Sequence, residues 1–394
     1  MDRLVRGSNQ SGLRAHNERL VLTLIRENGP LAKAEIARIT GLSPQAVSVI
    51  IRRLESDGLL AKGNPIRGRV GKPSVPINLK ADGALFFGLK VGRRSLDLVL
   101  ADFLGHIKGR VHLTHRYPNP DGVVRFANDA VGQLLYQLSP EEQLRVAGLG
   151  IAMPFRLWQW ARPLGVRQSD MDAWRGRDIR SELSELLDWP VYLQNDASAA
   201  CSAELVFGSS EKPSNFLYFF IGFFVGGGLV IGNKVFTGAT GNAAALGSLP
   251  VVVKNNKIQQ LIDLASLATL ENAISNSGGD GNSIWKSTSF WNIPGNTLND
   301  WLDQAASGLA AASVTAACVL DFECAFVDGW LSSEVKTRLV EFANQKIKTM
   351  ALAGIDTPQI REGAIGSEAR SLGAASLPLS DRFLVDRDSR LNGS

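Results

Sequence analysis

The chain has 394 residues, 45% hydrophobic and 20% charged, enough length for two or three cored domains and the composition of a soluble globular protein. No apolar run approaches the roughly 20 residues of a membrane-spanning helix, and the first twenty residues lack the apolar core of a secretory signal. Cys201, Cys318 and Cys324 form no metal-type pair and are too few for a disulfide framework, so a cytoplasmic protein without cofactor or metal is expected.

The charge is unevenly placed. Residues 1–80 hold 14 Lys/Arg against 6 Asp/Glu, a net +8, whereas the whole chain is +4, so the remainder carries about −4. A basic segment of this size points to a polyanionic partner, because phosphate contacts supply most non-specific DNA affinity.

Leu20, Val21, Leu24 and Ile25 recur at helical spacing and predict a first helix from about Asn17 to Asn28, stopped by Gly29-Pro30. A second short helix is predicted over Lys33–Thr40, with Ile36 and Ala37 inward. Gly41 supplies the positive-φ turn, Ser43 an N-cap and Pro44 a first helical residue. The third helix then runs through Asp57 and buries Val47, Ile50, Ile51 and Leu54. Its opening residues Ser43, Gln45, Ala46 and Ser48 are small or amide side chains suited to base edges in the major groove. Arg52 and Arg53, further along, suit phosphates, and Lys33 and Pro44 complete the expected DNA-facing set. After Gly58, the segment from Lys62 to Pro73 fits a wing whose Arg67, Arg69 and Lys72 would track the backbone or minor groove. The pattern is that of a winged helix-turn-helix, with double-stranded DNA as partner; a three-helix interaction module is the alternative.

From Ala84 the character changes to apolar strands with glycine turns. A hairpin is predicted at roughly 85–91 and 95–101, and VAGLGIAMP and WPVYLQNDASAA each read as a buried strand, the second feeding a helix. NFLYFFIGFFVGGGLVIGNKVF is a further strand-turn-strand. Strands alternating with helices imply an α/β fold.

The order of these pieces resembles the ROK family of repressors, open reading frames and sugar kinases, over nearly the whole chain. GLGIAMP (148–154), PVYLQNDASAA (190–200), GGGLVIGNKVFTGATGNAAALG (226–247) and GAIGSEARSLGAASLPL (363–379) carry the resemblance. It implies an α/β, two-lobed actin-like (ribonuclease H-like) domain over residues 81–394, behind a winged helix-turn-helix and linker in 1–80. The first lobe is expected at about 81–197 plus the C-terminal segment, the second at about 198–365.

The positions that carry chemistry in family kinases depart from the pattern. The Asp-x-Gly-Gly-Thr-Lys phosphate loop is replaced by Lys90-Val91-Gly92-Arg93-Arg94-Ser95, and Gly-Thr-Gly-x-Gly-Gly-Gly by Gly222-Phe223-Phe224-Val225-Gly226-Gly227-Gly228. Phosphate loops need close backbone approach, which these side chains crowd; the glycine triplet reads better as tight strand packing. The family's sugar glutamate falls on Ala245 and its sugar- and zinc-contacting histidine on Ser248. With no cysteine between 202 and 317, a zinc site of the family type is excluded on ligand grounds.

Asn195-Asp196 survives. By resemblance Asp196 contacts sugar, as general base in kinases or as a hydrogen-bonding group in repressors; as a local feature it reads as a helix N-cap. Trp158, Trp160 and Trp174, with Asp170, Asp172 or Arg175, fit either an aromatic sugar pocket or ordinary core. The expected function is therefore a non-enzymatic transcriptional regulator, repressing carbohydrate-related genes from a two-fold-symmetric operator. It would act as a homodimer or homotetramer with a sugar or sugar-derivative effector and no membrane partner. A ligand-free degenerate regulator and a sugar kinase with an attached DNA-binding domain are the alternatives.

Overall fold

The first helix, α1, spans Gln10–Asn28 and begins earlier than its apolar periodicity indicates, because residues 12–15 are exposed and offer no buried hydrophobic face. The structure is a computed structural model that describes residues 10–65, 75–209, 213–253, 257–289 and 291–385. Strand β1 (Leu31–Ala32), helix α2 (Lys33–Thr40), helix α3 (Pro44–Ser56) and strands β2 (Leu60–Lys62) and β3 (Pro76–Leu79) complete the amino-terminal unit. Strand β3 lies between β1 and β2, antiparallel to both. Val21, Ile25, Ile36, Val47, Ile51 and Ile77 form its core, and each fully buried aliphatic side chain contributes roughly 1.5–3 kcal/mol.

Strands β4 (Leu85–Val91), β5 (Ser95–Asp102) and β6 (Ile107–Thr114) form an antiparallel meander. Helices α4 (Pro120–Leu135) and α5 (Pro140–Gln143) lead to β7 (Val146–Ala152), which runs parallel to β4. Short helices α6 (Ala161–Leu164), α7 (Gln168–Asp172) and α8 (Ile179–Ser184) precede β8 (Val191–Gln194) and α9 (Asp196–Phe207). The sheet order is β6-β5-β4-β7-β8.

The same arrangement then repeats. Strands β9 (Phe216–Ile221), β10 (Val225–Ile231) and β11 (Lys234–Val235) form the second meander. A side hairpin of β12 (Pro250–Val253) and β13 (Lys257–Gln260) follows, then α10 (Ile262–Ala265), α11 (Leu267–Asn276) and α12 (Gly295–Leu320). Strand β14 (Cys324–Gly329), α13 (Ser333–Lys348) and β15 (Gln359–Glu362) close the second sheet in the order β11-β10-β9-β14-β15. Each sheet has two antiparallel strands on one flank and two parallel strands on the other, the two-lobed arrangement expected.

Helix α14 (Ala369–Phe383) returns from the second lobe to the first and packs on β4, β7 and α9. The approach is close: a Cβ on Gly150 would meet the Ala374 carbonyl oxygen at 1.8 Å. Its distal end lies beside the amino-terminal unit, and there Phe383 meets Phe86 and Phe103 of the first lobe at ring separations of 5.9 and 5.1 Å. The Val385 amide donates to Thr23 Oγ1 at 3.1 Å and Arg26 Nη2 to the Phe103 carbonyl at 2.5 Å. The core of α1–α3 is continuous with the apolar core that runs behind both sheets.

Candidate functional site

At the turn into α3, Gly41 has φ 71°, and Ser43 Oγ accepts from the Ala46 amide at 3.2 Å. Burial of Val47, Ile50, Ile51 and Leu54 turns Gln45, Arg52 and Arg53 to solvent, with Ala46 and Ser48 half-buried beside them. Ser43 and Pro44 are exposed at the helix start, and Lys33 is half-buried at the start of α2. Arg53 is occupied by Glu18 and Asp57 at 3.4 and 3.7 Å, whereas Arg52 meets only the Ser48 carbonyl at 3.2 Å among the described residues. That leaves Arg52 the less engaged of the two guanidinium groups. Val49, one turn after Gln45 and 50% exposed, belongs to the same face. An apolar residue there is suited to a thymine methyl, and the buried helical period, extended by one position, would have found it. Arg67, Arg69 and Lys72 lie outside the described residues.

Between the lobes, the β4–β5 turn reaches across to the second sheet. Lys90 Nζ donates to Asp97 at 2.5 Å and Ser95 Oγ at 3.0 Å, and Asp97 also holds His112 at 2.6 Å. Arg93 lies 3.4 Å above the Phe223 ring, and Phe223 stacks on Trp285 at 5.8 Å. Nη1 of Arg94 donates to both carboxylate oxygens of Glu271, at 3.0 and 3.1 Å, and its Nη2 to Asn282 at 2.7 Å. Phe224 meets Trp160 edge-on at 5.7 Å. Two arginines and four aromatic rings thus fill the space between the two glycine-bearing loops.

The second loop is spent as well. The Gly222 and Phe223 carbonyls accept from the first amides of α11, both at 3.0 Å, so that helix start is already satisfied. The glycine triplet serves packing: a Cβ on Gly227 would strike Leu246 at 2.2 Å and one on Gly228 would strike Cys201 at 2.3 Å. Ala245 and Ser248 are exposed and offer neither carboxylate nor imidazole. Among the described residues, no group of three or more His, Cys, Asp or Glu could hold a metal ion.

Below the β4–β5 turn, burial and the Lys90 ammonium push the His115 imidazole down to about 4, while backbone at Ser95 and Gly92 and the Asp97 carboxylate pull the other way. His115 therefore folds neutral and titrates near 6.5 when unfolded. Its contribution to stability is complete above pH 6.5 and is lost as pH falls from 6.5 towards 4. Urea melts will show stability falling across that window, and His115→Gln will flatten the slope; an unchanged slope in the variant removes His115 as its source.

Asn195, not Asp196, caps α9: its Oδ1 accepts from the Ala197 and Ser198 amides at 3.1 and 3.4 Å. The N-cap reading of Asp196 is one residue out, because Asp196 already has its place in the first helical turn. Its carboxylate instead meets Arg370 at 3.4 Å, and that guanidinium also lies over Phe220 at 4.8 Å. Arg110 is ion-paired with Glu368 nearby. The retained aspartate is thus ion-paired within the protein.

A separate cavity of about 400 Å³ opens in the first lobe beside α8, lined by Phe155, Trp158, Trp174, Arg177 and Arg180 among others. Trp174 is buried, with Nε1 donating to the Pro118 carbonyl at 2.9 Å. Arg177 is fixed by Glu182 and Asp121 at 2.6 and 2.7 Å, which raises its already high pKa. Asp170 pairs with Arg167 at 3.0 Å and Asp172 with Arg175 at 2.8 Å, so these two carboxylates serve local structure. Of the three tryptophans, Trp158 and Trp174 line the cavity and Trp160 packs in the plugged cleft.

Known proteins share this organisation. Residues 14–61 match the winged helix-turn-helix DNA-binding model, and residues 86–380, about three quarters of the chain, match the ROK family model. The Sinorhizobium fredii protein y4fQ is 26% identical over 94% of this chain and 92% of its own length. The xylose repressor of Bacillus subtilis is 23% identical over 62% of each chain. Among solved structures, a ROK family transcriptional regulator homologous to E. coli MLC superposes with a TM-score of 0.67 at 18% identity, covering 95% of this chain and 98% of that one. A ROK family glucokinase from Streptomyces griseus superposes with a TM-score of 0.57 at 20% identity, over 75% of this chain and 99% of its own. A family match spanning both five-stranded sheets, behind a winged helix-turn-helix, makes this chain a member of the ROK family.

Proposed function

We propose that this chain is a sequence-specific DNA-binding transcription regulator, a repressor of carbohydrate-related genes, and not an enzyme. The observation that carries this reading is a Ser43-capped α3 with an outward face of Gln45, Val49 and Arg52, on a head that shares its core with a family domain whose cleft is plugged. The xylose repressors among its relatives, matched over 62% of their length, support the same direction. Two copies would pair through the family domain and place two α3 helices on a two-fold-symmetric operator with half-sites about one helical turn, or a multiple, apart. The aromatic cavity of the first lobe is the place we assign to a sugar-derived effector, since ring faces stack on sugar C–H groups while Arg177 and Arg180 supply donors.

Selection of genomic fragments by the purified protein tests the reading; no enrichment over random DNA at physiological salt ends it. On the selected site, Gln45→Ala is expected to relax discrimination at one base position by about 1–3 kcal/mol, whereas Arg52→Ala weakens all sequences alike and lowers the salt slope by about one. A second reading, that the family domain only oligomerises, is favoured by the plugged cleft and the Asp196–Arg370 pair. A sugar panel that moves neither melting temperature nor operator affinity selects it.

A further inference from the structure

A second cavity of about 400 Å³ lies where the head meets both lobes. Helix α1 presents Arg19, Thr23 and Arg26 to it at i, i+4 and i+7, one face of the helix. The first lobe contributes Gln194, Ser202 and the far end of α14, and the second contributes the β10–β11 turn at Asn233.

Its chemistry is that of an anion site with hydroxyl contacts. Arg26 has no carboxylate within 4.0 Å among the described residues; Nη2 is held by the Phe103 carbonyl, and Nε is buried without a hydrogen-bond partner. Burial pushes this guanidinium down to about 10, with only Asp102 pulling back. Arg19 is likewise without an ion-pair partner among the described residues, and it is half-buried. The remaining charged groups of the lining are Glu27, Lys234 and Asp381, and Asp381 accepts from Tyr192 Oη at 2.8 Å. Polar capacity is available around them. Thr23 Oγ1 accepts from the Val385 amide and keeps its hydrogen to donate, and Ser202 donates to the Gln194 oxygen, which leaves the Gln194 amide hydrogens for another acceptor.

We propose that this junction cavity binds a small hydroxylated anion, a sugar phosphate or sugar acid, as a second effector distinct from any ligand of the aromatic cavity. Arg19 and Arg26 take the anionic group, and Thr23, Gln194, Ser202 and Asn233 take hydroxyls. An occupant touches α1, α14 and the β10–β11 turn at once, so it ties the position of the reading head to the angle between the lobes.

Calorimetry on the full chain at constant ionic strength tests this, with glucose 6-phosphate, gluconate, glucose and inorganic phosphate as probes. Glucose 6-phosphate or gluconate is expected to bind at least about tenfold more tightly than glucose, as one charge-assisted hydrogen bond provides. Arg19→Ala, at a half-buried position without an ion-pair partner among the described residues, is expected to remove about that factor while Trp158→Ala leaves it unchanged. Absence of heat from both anionic sugars at millimolar concentration overturns the proposal. So does binding that survives both Arg19→Ala and Arg26→Gln. Inorganic phosphate bound as tightly as glucose 6-phosphate overturns the hydroxyl contacts and with them the ligand class. Operator affinity is expected to move about fivefold or more on saturation. That readout rests on the regulator reading above, whereas the calorimetry does not, so failure of one is distinguishable from failure of the other.

Discussion

Replacing Asp328 with alanine is expected to destabilise the protein by roughly 3–5 kcal/mol, the cost of removing one partner from a buried charge pair. Asp328 is the penultimate residue of β14 and is fully buried. One oxygen faces Lys336 Nζ at 3.2 Å; the other accepts from the Gly366 amide at 2.7 Å, the Ile365 amide at 3.2 Å and Tyr218 Oη at 3.3 Å. Alanine leaves an ammonium, two amides and a phenol inside without their acceptor, and among the described residues Lys336 keeps only the Gly363 carbonyl at 2.7 Å. The site matters beyond its energy. Residues 363–366 carry the chain from the second sheet to α14, and Glu204 holds the same crossover through the Ala364 amide at 2.9 Å. Loosening it frees the helix that supports the reading head, so operator affinity is expected to fall together with stability. Urea melts of Asp328→Ala and Asp328→Asn check this; asparagine keeps an acceptor oxygen for the amides and should recover part of the loss. Equal melting of wild type and both variants would show that the crossover is held by packing alone.

Much of this architecture is legible in local pattern. The β4–β5 hairpin shows as an apolar run, and the turn before α3 shows through Gly41, Ser43 and Pro44, because one glycine conformation and one cap are decided within four residues. The glycine triplet is legible as packing because its flanking phenylalanines leave no passage for phosphate. What local pattern does not contain is partner choice across the fold. The sequence displays Arg93 and Arg94 in a former phosphate loop, but that they close the cleft depends on Phe223, Glu271 and Trp285, which the second lobe supplies. The same holds for Asp196, whose partner Arg370 stands 174 positions along, and for the junction cavity, whose walls come from four separate stretches. Polar turns such as the start of α1 carry no hydrophobic period to be read.

The Arg93 and Arg94 contacts lead to the second large effect: removing both is expected to unlatch the lobes. Cation–π contact of a desolvated guanidinium is worth about 2 kcal/mol. Arg93 sits between Phe223 and Phe224 at 3.4 and 5.0 Å, and its pKa is pushed down to about 10 by burial and by Arg94. Arg94 is 40% exposed, so its pair with Glu271 deserves a screened value of about 1 kcal/mol or less. Together they give a closing bias of roughly 2–3 kcal/mol, a factor of about 30–150 in the open-to-closed ratio. Hydrogen exchange in wild type and the Arg93→Ala/Arg94→Ala double variant measures this directly, with faster exchange expected in the β4–β5 turn, the Phe223 loop and the start of α11. Because Leu267 and Ala268 donate to that loop, their amides are the most informative. Phosphorylation of sugar is not expected to appear in the opened variant, since Lys90 remains tied to Asp97 and Ala245 and Ser248 supply no sugar-binding acid or imidazole. The variant therefore separates the lobe angle from ligand. If operator affinity shifts when the latch is cut, lobe closure itself sets DNA binding, and an effector needs only to compete with two arginines. If exchange quickens while operator affinity stays fixed, the head responds to α14 and the junction cavity rather than to the cleft.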